Sequence, residues 1–377
     1  MPRLNRLNHK IGDDESSIMT ESVFCNTPVL PVEIVLAPAW WFHNEGLTFD
    51  EDFFFHPAKR VESEQKMEKA LYERWGKFGL GIDKDKSLPA VGAVHLAAGF
   101  MLSEMLGCKV EYKQDAPPQV ICSRRPALQL SASEAFDSPV YKKFEKLTGA
   151  LKRQFGYLAG DVNWGGILNV GLDVRGENLF MDMFDRPDGV HRFLGEIAAV
   201  IERFTEDMFR HTGSTSISVN RTVRHFSSPI FLHSTCSHTM ISAADYEKFL
   251  FKYDAGWSKK YRPFGIHFCG GDAHRFAGAF AKLPYLDFLD VGWGSDVSAL
   301  RKRLPNTFLN IRLSPVEIID NTRLEIEQTI RRLVRDSANP RLTGVCCINM
   351  DEKAADEKIT TIFETVEELR KNALAKR

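Results

Sequence analysis

From residue 263 to the C-terminus the chain alternates short apolar runs with segments of helical period, and this alternation limits the fold more than any other feature. Pro263–Cys269 is a short apolar run after a proline, and Ala273–Leu283 follows with helical spacing. Leu286–Val291 is followed by Asp296–Leu304, and Thr307–Leu313 by Arg323–Asp336, where Leu324, Ile326, Ile330, Leu333 and Val334 recur at helical intervals. Leu342–Ile348 and Asp356–Leu374 complete the series. The apolar runs have strand length, and the intervening segments have helix length and period. Strands separated by helices pair in parallel, because the crossover returns the chain to the same end of the sheet. A succession of four such units fits the second half of a (β/α)8 TIM barrel better than an open sheet. The predicted class is therefore α/β.

A barrel of this kind takes roughly 250 residues, and the chain has 377. The expected organisation is an N-terminal extension over residues 1–90, packed on a barrel over residues 91–377. Upstream, Glu33–Trp41 reads as a strand and Glu62–Trp75 as a charged amphipathic helix. Leu96–Leu106 reads as a helix leading into a strand at Cys108–Tyr112. Asp188–Phe209 reads as a long helix with Pro187 at its start, where proline is tolerated. Tyr246–Tyr261 reads as the helix before the strand at 263. A net charge of −1 offers no electrostatic case for nucleic acid or an anionic membrane as partner. No apolar stretch reaches the length that spans a bilayer. Seven cysteines, an odd number spread along the chain, do not form a disulfide framework. The expected setting is the reducing cytoplasm, where clustered cysteines bind metal or react.

Alternation along the strands picks out candidate site residues. On Phe264–Cys269, Phe264, Ile266 and Phe268 should face the surrounding helices, which turns Gly265, His267 and Cys269 inward. His267 and Cys269 then sit at the C-terminal end of the strand, where barrel enzymes keep their active sites. One cation could take both side chains. A third thiolate from a distant strand would complete an N/S donor set that suits zinc and leaves one position open. The vicinal pair Cys346-Cys347 supplies that thiol. Thr343, Val345, Cys347 and Asn349 form the set that grows more polar toward its end, so Cys347 is expected inward, with Cys346 as the alternative. On Thr307–Leu313 the same argument turns Asn310 and Arg312 toward the mouth as candidate substrate contacts.

Other motifs invite plainer explanations. His233-Ser-Thr-Cys236-Ser-His238 packs three potential ligands into six residues, but its spacing matches no zinc pattern. It reads as a pocket-lining loop, with His233 a further candidate substrate contact. Asp161-Val-Asn163-Trp164-Gly165-Gly166 could contact a ligand or simply form a glycine turn with a helix cap. Trp40-Trp41-Phe42-His43 could floor a pocket or fill core.

The order of these features resembles the uroporphyrinogen decarboxylase superfamily, from about Leu96 onward. The residues that carry the resemblance are Met240-Ile241-Ser242 with Tyr246-Glu247-Lys248-Phe249-Leu250, His267-Phe-Cys269-Gly270, Asp290-Val-Gly-Trp293-Gly-Ser-Asp296, and Cys346-Cys347 before the last helix. The superfamily includes zinc-dependent corrinoid methyltransferases, in which a His-x-Cys pair and a later cysteine hold zinc at the barrel mouth. The resemblance implies that His267 and Cys269 match the pair and that the third ligand falls at Cys347 or Cys346. It also implies Zn2+ as cofactor, a corrinoid supplied by a partner protein, and a small thiol or other methyl donor or acceptor as substrate. The decarboxylases instead bind a polyanion through an Arg-Gln-Ala-Gly-Arg stretch after an early strand. The comparable place here reads Trp40-Trp41-Phe42-His43-Asn44-Glu45-Gly46, with no arginine and an added carboxylate, which removes the charge-assisted contacts a polyanion needs. The expected activity is therefore methyl transfer. A metal-free decarboxylase and a protein with purely structural zinc are the alternatives.

Overall fold

The computed structural model describes residues 27–81, 100–156, 165–213 and 225–375. In chain order its strands are β1 (Val32–Leu36), β2 (Lys109–Glu111), β3 (Gln119–Ile121), β4 (Phe231–Ser234), β5 (Phe264–Phe268), β6 (Phe288–Val291), β7 (Phe308–Leu313) and β8 (Thr343–Met350). They form a six-stranded sheet in the order β1-β8-β7-β6-β5-β4 and a separate β2-β3 pair. Every pairing from β4 through β8 is parallel. The first strand adjoins the last, which is the neighbour relation that closes a barrel. The fold is α/β and TIM-barrel-like, as the strand–helix alternation predicts.

The described chain falls into two compact units, and the expected boundary at residue 90 lies outside the described residues. One unit comprises residues 27–35, 225–349 and 354–375 and carries the large sheet. Its last three long helical segments follow the predicted ones. Asp296 caps Val297–Arg303 through its side chain, and Thr322 and Glu325 form a capping box at the start of Arg323–Asp336. The closing helix runs Asp356–Ala375. The segment predicted as one helix over Tyr246–Tyr261 is two, Ala243–Phe249 and Phe251–Lys260, with Leu250 between them. The helix expected over Ala273–Leu283 is a single turn of 3-10 helix followed by the short helix Ala277–Phe280.

Register sorts the inward face of this sheet into layers. Leu232, Gly265, Phe288 and Phe308 are successive cross-strand partners in one layer. Ser234, His267, Asp290, Asn310 and Gly344 form the next. Arg312 pairs with Cys346 above them. The lower layer is apolar and built on size complementarity. Phe288 and Phe308 stack 5.7 Å apart at 5°, and the edge of Phe226 closes on both. Gly265 leaves room for this, because a Cβ there would come within 3.1 Å of the Phe288 Cβ. Close packing of this kind leaves a solid floor, so only the polar layers above it are available for chemistry.

The other unit comprises residues 36–81, 100–156, 165–213 and 350–353. It holds the β2-β3 pair, which is antiparallel, and long helices at Pro57–Trp75, Pro139–Phe155 and Pro187–Thr212. The strand predicted over Glu33–Trp41 ends at Leu36. Pro38 occupies the first turn of a helix, Pro38–Glu45, because its fixed φ suits that position and its missing N–H costs nothing there. Trp40 and Trp41 are thereby buried in core, packed edge to face at 4.9 Å. Among the described residues no helix is long and apolar enough to cross a membrane.

Candidate functional site

The C-terminal ends of β4 and β5 bring three donor atoms together. Cys236, His267 and Cys269 each offer one ligand atom, and these atoms lie within 4.8 Å of one another. Parallel register explains the convergence. Ser234 and His267 are cross-strand partners and share a face. Just past the end of β4, Thr235 donates both its backbone N–H and its hydroxyl to the His267 carbonyl, at 2.7 and 3.0 Å. The chain is thus pinned to β5 as it turns into the short 3-10 helix Cys236–Met240, whose first residue contributes its thiol.

Cys269 lies one residue beyond β5, and glycines hold the loop that carries it close to its neighbours. At Gly292 a Cβ would come within 2.6 Å of the Cys269 carbonyl carbon and 2.7 Å of its oxygen. At Gly270 it would collide with the Thr239 side chain. Only residues without a Cβ allow this approach. Ser295 ties the loop further, accepting from the Ala273 N–H at 3.1 Å and donating to the Gly270 carbonyl at 3.4 Å.

A hydrogen-bonded relay runs behind the cluster across the sheet. His267 Nδ1 lies 2.6 Å from Asp290 Oδ2 on the next strand. The other carboxylate oxygen of Asp290 accepts from Asn310 Nδ2 at 2.6 Å, and the same amide lies 3.2 Å from Cys346 Sγ. With Nδ1 committed to the carboxylate, the remaining ring nitrogen of His267 is turned to Cys236. A carboxylate behind a histidine fixes its tautomer and ring orientation, as at metal-bound histidines.

Proton affinities in the cluster are strongly divided. Cys236 is held well below the usual thiol range, chiefly because it accepts a hydrogen bond from Cys269, with His267 adding its positive charge. Cys269 is pushed up, first by donating to Cys236 and then by burial, while Arg312 beside it opposes the rise. Burial disfavours protonation of His267, yet the Cys236 charge and the Asp290 bond outweigh it and push the imidazole up to about 9. Two soft sulfurs and one nitrogen share one negative charge and the protons that a cation would displace. The donor set fits zinc: metal–ligand bonds are about 2.0–2.3 Å, so only small shifts would bring all three onto one ion.

The predicted site residues divide between the two faces. His267 and Cys269 meet in the cluster, but the third thiol beside them is Cys236, from the loop expected only to line a pocket. Cys347, expected inward, belongs to the opposite face, where its thiol lies 3.7 Å from the Leu313 carbonyl. Cys346 is the cysteine of β8 that shares the face of Asn310 and Arg312, and its thiol is occupied by the Asn310 amide. Asn310 and Arg312 are inward, as alternation predicts, and both are buried. His233 is on the helix side. Its Nδ1 lies 2.6 Å from Asp254 Oδ1, and its ring packs edge-on to Trp257 at 5.1 Å. His238 is buried among Tyr246, Phe276 and His233. Asp161, Asn163 and Trp164 lie outside the described residues. Asp290 was missed, although its signal was present: a lone carboxylate amid the apolar run Phe288–Val291.

Comparison with known proteins agrees with this architecture. The sequence profile described as uroporphyrinogen decarboxylase (URO-D) matches residues 92–369. Among solved structures, a methyltransferase from Methanosarcina mazei is similar with a TM-score of 0.65 at 12% identity, over 93% of this chain and 97% of that one. A B12-independent methionine synthase from Shewanella sp. W3-18-1, in complex with selenomethionine, gives 0.49 at 10% identity, over 93% and 99%. A search of curated proteins returned no match. With most of its length matched by that profile, the chain belongs to the uroporphyrinogen decarboxylase family.

Proposed function

We propose that the chain is a zinc-dependent methyltransferase that moves a methyl group between a corrinoid carried by a partner protein and a small thiol or other methyl donor or acceptor. The observation that carries this reading is the Cys236–His267–Cys269 cluster at the C-terminal ends of the strands. These three residues would hold the ion, leaving a position for substrate. Bound there, zinc lowers the pKa of a substrate thiol so that it reacts as a thiolate near neutral pH.

The chain's own residues serve that chemistry in definable ways. Asp290 accepts a hydrogen bond from the His267 Nδ1–H and fixes the ring, and Asn310 holds Asp290 in place. The apolar layer of Phe288 and Phe308 closes the space beneath the cluster and keeps water from entering there. Arg312 places a positive charge beside Cys269 and favours its thiolate. The likeness to the Methanosarcina mazei methyltransferase is one of fold, and it supports the reading only in that sense. The family's descriptive name points to decarboxylation, which would leave a soft N/S donor set without a task.

Metal analysis of the purified protein, followed by absorbance monitoring of methylcobalamin with small thiols, tests the proposal. The expected result is about one zinc per chain, as for a three-residue catalytic site, and thiol-dependent demethylation. Cys269→Ala should abolish both. Full activity in metal-free protein, or unchanged zinc in that variant, would overturn it.

A further inference from the structure

We propose that Cys108 and Cys122 form a modification site, a reversible thiol–disulfide pair that closes by exchange with a small disulfide such as oxidised glutathione. This inference is independent of the cluster and concerns the other compact unit.

The pairing of β2 with β3 sets the two thiols against each other. Lys109 opposes Ile121, Val110 opposes Val120 and Glu111 opposes Gln119. Carried one residue past the end of the ladder, the same register opposes Cys108 to Cys122. The Cys108 N–H goes to the Ser103 carbonyl at 2.9 Å rather than across to Cys122. Opposed residues that exchange no backbone hydrogen bonds are the closer kind, with Cα atoms about 4.5 Å apart. A disulfide spans about 4.4–6.8 Å between Cα atoms, and cross-strand partners project to the same face. The two thiols do so: Cys108 Sγ donates to the Asp173 carbonyl at 3.3 Å, and Cys122 Sγ to the Leu172 carbonyl at 3.4 Å.

Those carbonyls belong to the last turn of the helix Ile167–Arg175, where the backbone acceptors lack partners within the helix. Stronger donors reach them as well. Leu172 also accepts from the Gly176 N–H at 2.8 Å, and Asp173 from the Ser123 N–H at 3.0 Å. Oxidation of both thiols therefore removes two weak S–H donors and leaves neither carbonyl unsatisfied. Exposure sets the order of events. Cys108 is 3% exposed, and burial, with the nearby Asp173 carboxylate, pushes its thiol up. Cys122 is half-buried, so it meets the small disulfide first. Its sulfur displaces one glutathione thiolate and forms a mixed disulfide. The Cys108 sulfur then attacks the Cys122 sulfur and releases the second glutathione. One S–S bond breaks and one forms. Both cysteine protons and two electrons end on the two released glutathione thiols.

Trypsin cuts after Lys109 and Lys113, which places the two cysteines in separate peptides, 87–109 and 114–124. The full chain is incubated with excess oxidised glutathione, quenched with N-ethylmaleimide, digested and mapped by mass spectrometry. The expected product is the two peptides joined to each other, and excess reduced glutathione should part them again. Cys108→Ser should retain glutathione on Cys122. Cys122→Ser should slow the loss of the Cys108 thiol about ten-fold or more, because a buried thiol reacts poorly. Wild-type peptides that are alkylated and never joined overturn the proposal whether or not the variants fold, as does glutathione that stays on Cys122 of the wild-type protein. Joining that is no faster in the native protein than in urea overturns it too, since the register of β2 and β3 would then have no part in the reaction.

Discussion

His267 Nδ1 and Asp290 Oδ2 lie 2.6 Å apart on adjacent parallel strands, at positions that are direct cross-strand partners. The sheet itself therefore sets the orientation of the imidazole, because register decides which carboxylate stands behind it. Asp290 is wholly buried, and its second oxygen is taken by Asn310. Removing the carboxylate should free the ring to rotate and lower its basicity. Asp290→Asn is expected to weaken zinc binding about 10–100-fold, the usual effect of losing a partner behind a metal-bound histidine. Competition with a chromophoric chelator measures this, and circular dichroism checks the fold. Unaltered zinc affinity in a folded variant would show that Asp290 has no part in the site.

The cysteines make a sharper distinction. Cys236 shares its charge with His267 and Cys269, whereas Cys346 and Cys347 are pushed up by burial. Cys236→Ala should drop bound zinc from about one per chain to far less, since two protein donors hold zinc poorly. Cys346→Ala and Cys347→Ala should retain it. Elemental analysis after gel filtration decides the matter, and loss of zinc in Cys347→Ala with retention in Cys236→Ala would reverse the assignment.

That contrast shows how far the site was legible. His267 and Cys269 stand two apart on a regular strand, and strict alternation is enough to turn both inward. Cys236 is two residues beyond a strand of only four, in a 3-10 turn whose direction is set by Thr235 bonding to the His267 carbonyl. That bond links residues 32 apart, and no local pattern announces it. On β8 polarity pointed to the wrong face. Cys346 faces inward because Arg312 is its cross-strand partner, and register is a property of strand pairs. The barrel-like alternation after residue 263 was readable because each element buries one apolar face of regular period. Upstream the period is broken by Pro38, and a run that looked like a continuous strand turns into a helix.

The helix side of β4 offers a stability test separate from the metal. Tyr246 donates its hydroxyl to Asp254 Oδ2 at 2.7 Å, while His233 Nδ1 lies 2.6 Å from the other carboxylate oxygen. All three side chains are fully buried. Tyr246→Phe removes one donor and leaves a buried carboxylate oxygen unsatisfied. A hydrogen bond to a charged group is worth about 1.5–3 kcal/mol, so unfolding free energy should fall by about that amount. Urea denaturation should show a lower midpoint with an unchanged slope. Zinc content should not change, because His233 and its partners face away from the cluster.

Gly292 offers the last test, since it couples the backbone of β6 to the position of Cys269. It follows Val291 at the end of the strand, and the space where its Cβ would go is filled by the Cys269 carbonyl at 2.6–2.7 Å and by the Gly270 carbonyl oxygen. All of these are backbone atoms, so no side-chain rotation can relieve the clash. Gly292→Ala must push the two loops apart, and the loop that yields carries a donor of the cluster. Overpacking of this kind typically costs about 1–3 kcal/mol. Displacing one sulfur of an N/S site should also weaken the metal. The variant is expected to lose stability and zinc affinity together, whereas Gly278→Ala, with open space at its Cβ, should lose neither. Thermal unfolding in the presence and absence of zinc separates the two effects: the zinc-dependent rise in midpoint should shrink in Gly292→Ala and persist in Gly278→Ala. A full zinc-dependent rise in Gly292→Ala would mean that Cys269 keeps its place without the close approach of the two loops.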